Sequence, residues 1–388
     1  MSTSEAEKPA PKKWFDLRRH LRREPIMLAL LSALAVTLFL AVTGLSRRYY
    51  AQQEALGNRW FSRGTADLKA QRLDRAVNEF RAALIYSRDD YAYQLNLAEA
   101  LLGEKRTNEA YAYLVNLWDR QPENGLVNLE LARIAAQRGE TEQVLRYYHD
   151  AIYATWPDDE QASRRDARLE LIEFLLSNNA DAQAQAEMIA LAANLGDDTA
   201  EQVRVGNLFV RVQDYEHALA AFRTALKSDR HNVSALAGAG LTAFELGRYP
   251  AAYRYLQGAA AANPEDAQIV TLLKTTDLVL QMDPFQPQIS ADHRNWIVVT
   301  AFTVAGERLK ACSAGNAPSS SESVTSLTER WRRMKPKINP EDLKNNPDLA
   351  DSAMDLIFDI ERQTSATCGS PAGTDLALLL IAKLHEGN

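Results

Sequence analysis

The chain has 388 residues, 46% hydrophobic and 24% charged, a balance ordinary for a folded protein of one or two sizeable domains. Alanine and leucine are abundant and strand signals scarce, so helix is expected throughout. The formal net charge of −7 is unevenly placed: seven Lys or Arg against four Asp or Glu precede Ile26, and the acidic remainder argues against nucleic acid as a partner, because phosphate binding needs a basic surface.

Residues 1–25 form a basic tail. Residues 26–45 then run IMLALLSALAVTLFLAVTGL, 20 residues without a charge, which at about 1.5 Å per residue matches a bilayer core of roughly 30 Å. One transmembrane helix is expected here. A cleaved signal peptide usually has an apolar core of about 7–15 residues ending at a small-residue site; this core is longer, and its best candidate, Ala41-Val42-Thr43, fits poorly. Lys12, Lys13, Arg18, Arg19, Arg22 and Arg23 precede the stretch, and Arg47, Arg48, Arg59 and Arg63 follow it. The excess places the N-terminus in the cytoplasm and everything after a juxtamembrane linker at 46–56 outside it, in the periplasm if the source is bacterial.

Residues 57–282 repeat one pattern. Gly206, Tyr215, Ala218, Phe222 and Ala225 recur as Gly240, Tyr249, Ala252, Leu256 and Ala259, each 34 residues on. That period marks stacked helix-turn-helix units. Small residues suit helix crossings, Phe222 and Leu256 suit the space between successive pairs, and Asn263-Pro264 stops a helix. Earlier copies run through Trp60, Gly64, Ala76, Phe80 and Ala83, then Leu97, Ala98, Ala110 and Leu114, then Leu131, Ala132, Gly139, Tyr148 and Ala151. A degenerate fourth copy carries Ala184, Met188 and Leu191 after a surface-loop insertion of about six residues near 158–163, which divides the array into two three-repeat halves. Residues 267–282 make an amphipathic helix suited to cap the open end.

These residues resemble the tetratricopeptide repeat family, and the chain is similar to bacterial single-pass, membrane-anchored members of it. The resemblance implies an all-α superhelical solenoid of about six repeats whose first helices line a concave binding surface. Carried onto this chain, the groove positions are Phe61, Leu68, Leu95, Leu102, Leu126, Leu129, Leu169, Val203, Asn207, Val210, Leu241 and Phe244, with Thr65, Glu99, Arg133, Glu173, Leu176 and Glu245 among them. An apolar peptide or amphipathic helix suits that surface; the chain's own C-terminal segment is the alternative occupant. Family members that grip a terminal carboxylate use Lys, Arg and Asn. Here Phe61, Thr65, Asn96, Leu126 and Glu130 stand in those places, and only Asn96 fits.

Pro284 and Pro287 open a C-terminal helical region, 283–388. Helices are expected over 292–311, 327–334 and 349–363, with a serine-rich linker at 314–323 and a proline-punctuated loop at 336–347. Thr374 is expected to cap a last helix, LALLLIAKL, which is too apolar to be exposed and too short to span a bilayer. Cys312 and Cys368 are the only cysteines. Outside the cytoplasm they could form a disulfide; two buried thiols are the alternative. Arg330, Arg332, Arg333, Lys335 and Lys337 surround Trp331, a local basic run on an acidic body that reads as a solvated helix end or as a surface for anionic headgroups or an acidic partner.

Nothing marks an enzyme. The six histidines show no metal-binding spacing, and no nucleophile elbow or phosphate loop is present. Gly238-Ala239-Gly240 has the shape of a dinucleotide fingerprint, but sits inside a repeat helix. Asn232-Val233-Ser234 spells a glycosylation triplet. No cofactor is expected. The reading is a membrane-anchored scaffold or adaptor for protein partners in assembly or stabilisation of a cell-envelope complex. The alternatives are a permanent structural subunit of a larger membrane complex and an enzyme with its site in the C-terminal region.

Overall fold

Asx side chains and left-handed turn residues, recurring 34 residues apart on either side of one insertion, set the helix boundaries. The computed structural model describes residues 14–156, 160–314 and 322–385. Most of the basic tail, the first residues of the expected insertion and most of the serine-rich linker lie outside the described residues. The chain divides into two units, Met1–Leu169 and Glu170–Asn388, and among the described residues the regular elements are all helical.

The first unit contains α1 (Trp14–Lys69), α2 (Leu73–Tyr86), α3 (Tyr91–Gly103), α4 (Thr107–Arg120), α5 (Gly125–Arg138) and α6 (Thr141–Tyr153). Helix α7 (Glu160–Ser177) carries the boundary. The second unit continues with α8 (Asp181–Ala192), α9 (Thr199–Arg211), α10 (Tyr215–Ser228), α11 (Val233–Glu245), α12 (Tyr249–Ala262) and α13 (Ala267–Met282). Thus six helix pairs precede α13.

Within each pair the turn is the same. Gln71, Lys105, Gly139, Asn179, Gln213 and Gly247 have φ between 55° and 72°. After each, the next N–H reaches five residues back: Arg72 to the Asp67 carbonyl at 2.9 Å, Arg106 to Leu101 at 2.9 Å, Asp214 to Phe209 at 3.0 Å, Arg248 to Ala243 at 2.8 Å. This is the Schellman closure, which satisfies the last carbonyls of the first helix. The turn residues are spaced by 34, except for 40 between Gly139 and Asn179, which measures the insertion at six residues. Where a surface loop was expected, residues 160–163 are helical, and α7 reaches 18 residues against 13 in α9.

Between pairs, a second signal starts α3, α5, α9, α11 and α13. Asp90, Asn124, Asp198, Asn232 and Asp266 each accept the N–H three residues on, at 3.0–3.1 Å. Each such cap stabilises its helix by about 1 kcal/mol. Asn232, first residue of the glycosylation triplet, is therefore engaged as a helix cap.

Packing follows the small residues. A Cβ on Gly64 would meet the Phe80 ring at 2.6 Å, and one on Gly240 would meet Leu256 at 2.6 Å. The large side chain of each second helix therefore fills its own pair, not only the gap to the next. Phe222 does both, lying against Gly206 and against Gly238 of the following repeat.

Five further helices follow in the second unit: α14 (Ala291–Ala314), α15 (Glu322–Met334), α16 (Pro340–Asn345), α17 (Pro347–Cys368) and α18 (Gly373–Leu384), with a 3-10 turn at Lys335–Lys337. Their core joins Phe302, Leu309, Trp331, Met354, Ile357 and Leu378 to Val279 and Met282 of α13. The capping helix is thus itself covered, with α18 packed along it. Two local expectations are corrected. Pro340 and Pro347 open helices, because a helix's first residue needs no N–H donor. Thr374 lies inside α18, whose cap position is Ala372. The disulfide between Cys312 and Cys368, with Cα atoms 5.6 Å apart, joins the end of α14 to the end of α17.

Candidate partner-binding face

First helices of successive repeats touch one another, α1 with α3 in the first unit and α9 with α11 in the second. Within each unit these first helices therefore lie side by side. Along the first helices of the first unit, Phe61 and Leu68 on α1, Leu95 and Leu102 on α3 and Leu126 on α5 are half-buried. In the second unit Val203 and Val210 on α9 and Leu241 on α11 are half-buried, while Asn207 is exposed.

Three expected groove residues are placed elsewhere. Leu129 is 7% exposed and Leu169 3%, so both belong to the packed interior. A helix flanked by neighbours, as α5 is by α4 and α6, buries a wide arc, and leucine looks the same at its edge as at its centre. Phe244 turns toward Tyr249, ring centroids 5.5 Å apart, and packs against the core shared with the C-terminal helices.

In the first unit the apolar stripe begins on an aromatic cluster. Phe61 stacks on Tyr93 at 4.9 Å and lies 5.7 Å from Phe80. The Tyr93 hydroxyl donates to Asn58 Oδ1 at 2.8 Å, which fixes the cluster's edge. Sequence spacing missed Tyr93, because it reads as an ordinary core position of α3.

The polar members are few and mostly committed. Arg133 pairs with Glu130 at 2.6 Å, and Arg211 of α9 with Glu173 of α7 at 2.8 Å. Asn96, the one residue matching a carboxylate grip, donates its amide back to the Ala92 carbonyl at 2.9 Å. Glu99 is exposed by area, yet loss of solvent around it raises its carboxyl above the ordinary range. Among the described residues no group of three His, Cys, Asp or Glu could hold a metal ion.

The layer can therefore bury apolar side chains of a partner but offers little to orient a charged one. A family model described as tetratricopeptide repeat matches residues 61–118 and 205–267, the stretches in which the 34-residue turn and cap geometry is built. The chain carries tetratricopeptide repeats. Such repeats are protein–protein interaction scaffolds, and this tetratricopeptide fold supports that role here. No curated protein sequence matches the chain. Similar solved structures include YrrB, titled a TPR protein with an unusual peptide-binding site, at 15% identity over 49% of this chain and 95% of that one, TM-score 0.38. Pseudomonas aeruginosa pilF matches at 14% identity over 56% and 97%, TM-score 0.39. PilW, titled a type IV pilus biogenesis factor, matches at 16% identity over 56% and 98%, TM-score 0.37.

Proposed function

We propose that this tetratricopeptide repeat protein is a single-pass membrane adaptor, with its N-terminus in the cytoplasm and its repeats and C-terminal helices outside. It holds an apolar peptide or amphipathic helix of a protein partner on the first-helix layer, in assembly or stabilisation of a cell-envelope complex.

The observation that carries this reading is the continuity of α1. One helix of 56 residues runs from the uncharged stretch into the first helix of the first repeat, and residues 46–56, expected as a linker, are helical. It contains the one segment among the described residues long and apolar enough to cross a membrane, and none of that apolar window is buried. Exposing 20 apolar residues to water is strongly unfavourable, whereas hydrocarbon accepts them. Lipid therefore explains the exposed surface, and the helix would transmit the position of the bilayer rigidly to the repeats. An oxidising location also gives the Cys312–Cys368 bridge its chemistry.

Alkaline carbonate extraction of cells making the full chain tests the anchor. The protein should stay in the membrane pellet, and a variant with Leu31, Leu34 and Leu38 changed to Asp should leave it; release of the unaltered chain refutes membrane anchoring. Retention of the partner should be lost when Leu95→Asp and Leu102→Asp are combined and helicity is unchanged.

A further inference from the structure

Where α14 crosses α15, outside the repeats, lies a cavity of 330 Å³. Its floor is Trp331 on Gly306 and Leu309; Lys310 and Ser313 form the α14 wall, Thr328 and Arg332 the α15 wall.

The floor is rigid. Trp331 donates Nε1 to the Phe302 carbonyl at 3.0 Å and stacks on the Phe302 ring at 5.6 Å and 13°. On Gly306 even a Cβ would stand 2.2 Å from the indole. Two ammonium groups stand at this fixed ring, Lys310 Nζ of the cavity lining at 5.7 Å from its centroid and Lys335 Nζ, in the turn after α15 and outside the lining, at 4.9 Å. Arg332 adds a third cation at the wall.

The local acids do not neutralise them. No carboxylate lines the cavity, and among the described residues Lys310, Arg332 and Lys335 form no ion pair, whereas neighbouring Arg330 is paired with Asp359 at 3.1 Å. Glu307 and Glu329 lie on the same two helices but outside the lining. The hydroxyls of Ser313 and Thr328 donate to the carbonyls of Leu309 and Val324, both at 2.8 Å, so the donors facing the cavity are cationic.

Like charges gathered at a ring that cannot move repel one another unless an anion sits between them, and they stand on a chain of net charge −7. A carboxylate brings one charge. A phosphate monoester brings about −1.5 to −2 and three acceptor oxygens, which suits the Arg332 guanidinium fork and the Lys310 ammonium that line the cavity. We propose that this cavity binds a phosphate monoester, carried either by a soluble molecule or by a lipid whose headgroup is itself a phosphate monoester, such as phosphatidic acid.

Equilibrium dialysis of the full-length protein in uncharged detergent against radiolabelled inorganic phosphate, at fixed ionic strength, tests the site. The unaltered protein and Lys227→Gln, a change on exposed α10 surface, should take up one phosphate with equal affinity. Lys310→Gln combined with Arg332→Gln should bind at least ten-fold more weakly with an unchanged circular dichroism spectrum. A second arm adds micelles containing phosphatidic acid or, for comparison, phosphatidylcholine. Displacement of phosphate by phosphatidic acid alone assigns a lipid headgroup, and its failure to displace assigns a soluble monoester. No saturable uptake by the unaltered protein, equal uptake by the double variant, or equal loss in Lys227→Gln overturns the proposal.

Discussion

Gly206 of α9 lies so close to Phe222 of α10 that a Cβ added there would stand 2.7 Å from the ring's Cε1. The crossing of the two helices depends on that missing atom. Alanine at 206 gains up to about 1 kcal/mol of helix propensity, but overpacking a filled core costs about 1–3 kcal/mol. Gly206→Ala should therefore lose about 1–2 kcal/mol in urea unfolding, and Phe222→Leu in the same chain should restore part of it. Additive losses would show that the two positions are not coupled.

The left-handed turn makes a paired prediction. A Cβ on Gly139 would have nothing within 4 Å, so Gly139→Ala exposes the backbone cost alone, about 1 kcal/mol lost. Gln213 already bears that cost at φ 58°, and Gln213→Gly should gain up to about 1 kcal/mol after glycine's extra chain entropy is subtracted. Denaturant midpoints of the two variants should move in opposite directions.

Glu361 in α17 is fully buried, and neither carboxyl oxygen has a hydrogen-bond partner. Burial, then the Asp375 charge, push its pKa up to about 8, against the opposing pull of Arg308. Between its unfolded pKa, near 4.5, and about 8, the folded chain holds a proton that the unfolded chain has released. Stability therefore falls as pH rises through that window, by up to about 1.4 kcal/mol per pH unit, and the loss is complete above it. Glu361→Gln should match the unaltered protein near pH 4 and be the more stable near pH 8. Parallel stability–pH curves would show that Glu361 is ionised in the fold.

The disulfide closes a separation of 56 residues, for which the chain-entropy model gives about 4 kcal/mol. Cys312→Ser should lower the melting temperature of the C-terminal helices under oxidising conditions, and reductant should add nothing further. In intact cells, thiol alkylation before reduction should leave both cysteines unlabelled; labelling of both would place them in a reducing compartment.

Much of this architecture was legible because its signals are periodic. The 34-residue recurrence of small and large residues located the pairs, and the same interval separates Asp90 from Asn124, and Asp198 from Asn232 and Asn232 from Asp266. The turns were harder to read. Gln71, Lys105, Asn179 and Gln213 take a left-handed conformation without the glycine that would announce it, since the Schellman hydrogen bonds and packed helices impose it. The continuity of α1 had a readable sign, the absence of Gly and Pro from 46–56. The candidate face was legible only in part: Leu95 and Leu102 differ from buried Leu129 and Leu169 in neighbours, not in chemistry.

The first-helix layer as the partner-binding surface is tested most directly by site-specific photocrosslinking in intact cells. A benzophenone side chain is placed at Leu102, on that layer, or at Ile85, which is 81% exposed on the second helix α2. We expect one discrete adduct from position 102, lost when Leu95→Asp is added, and none from position 85. Adducts from 85 but not 102, or an adduct at 102 insensitive to Leu95→Asp, would contradict the account.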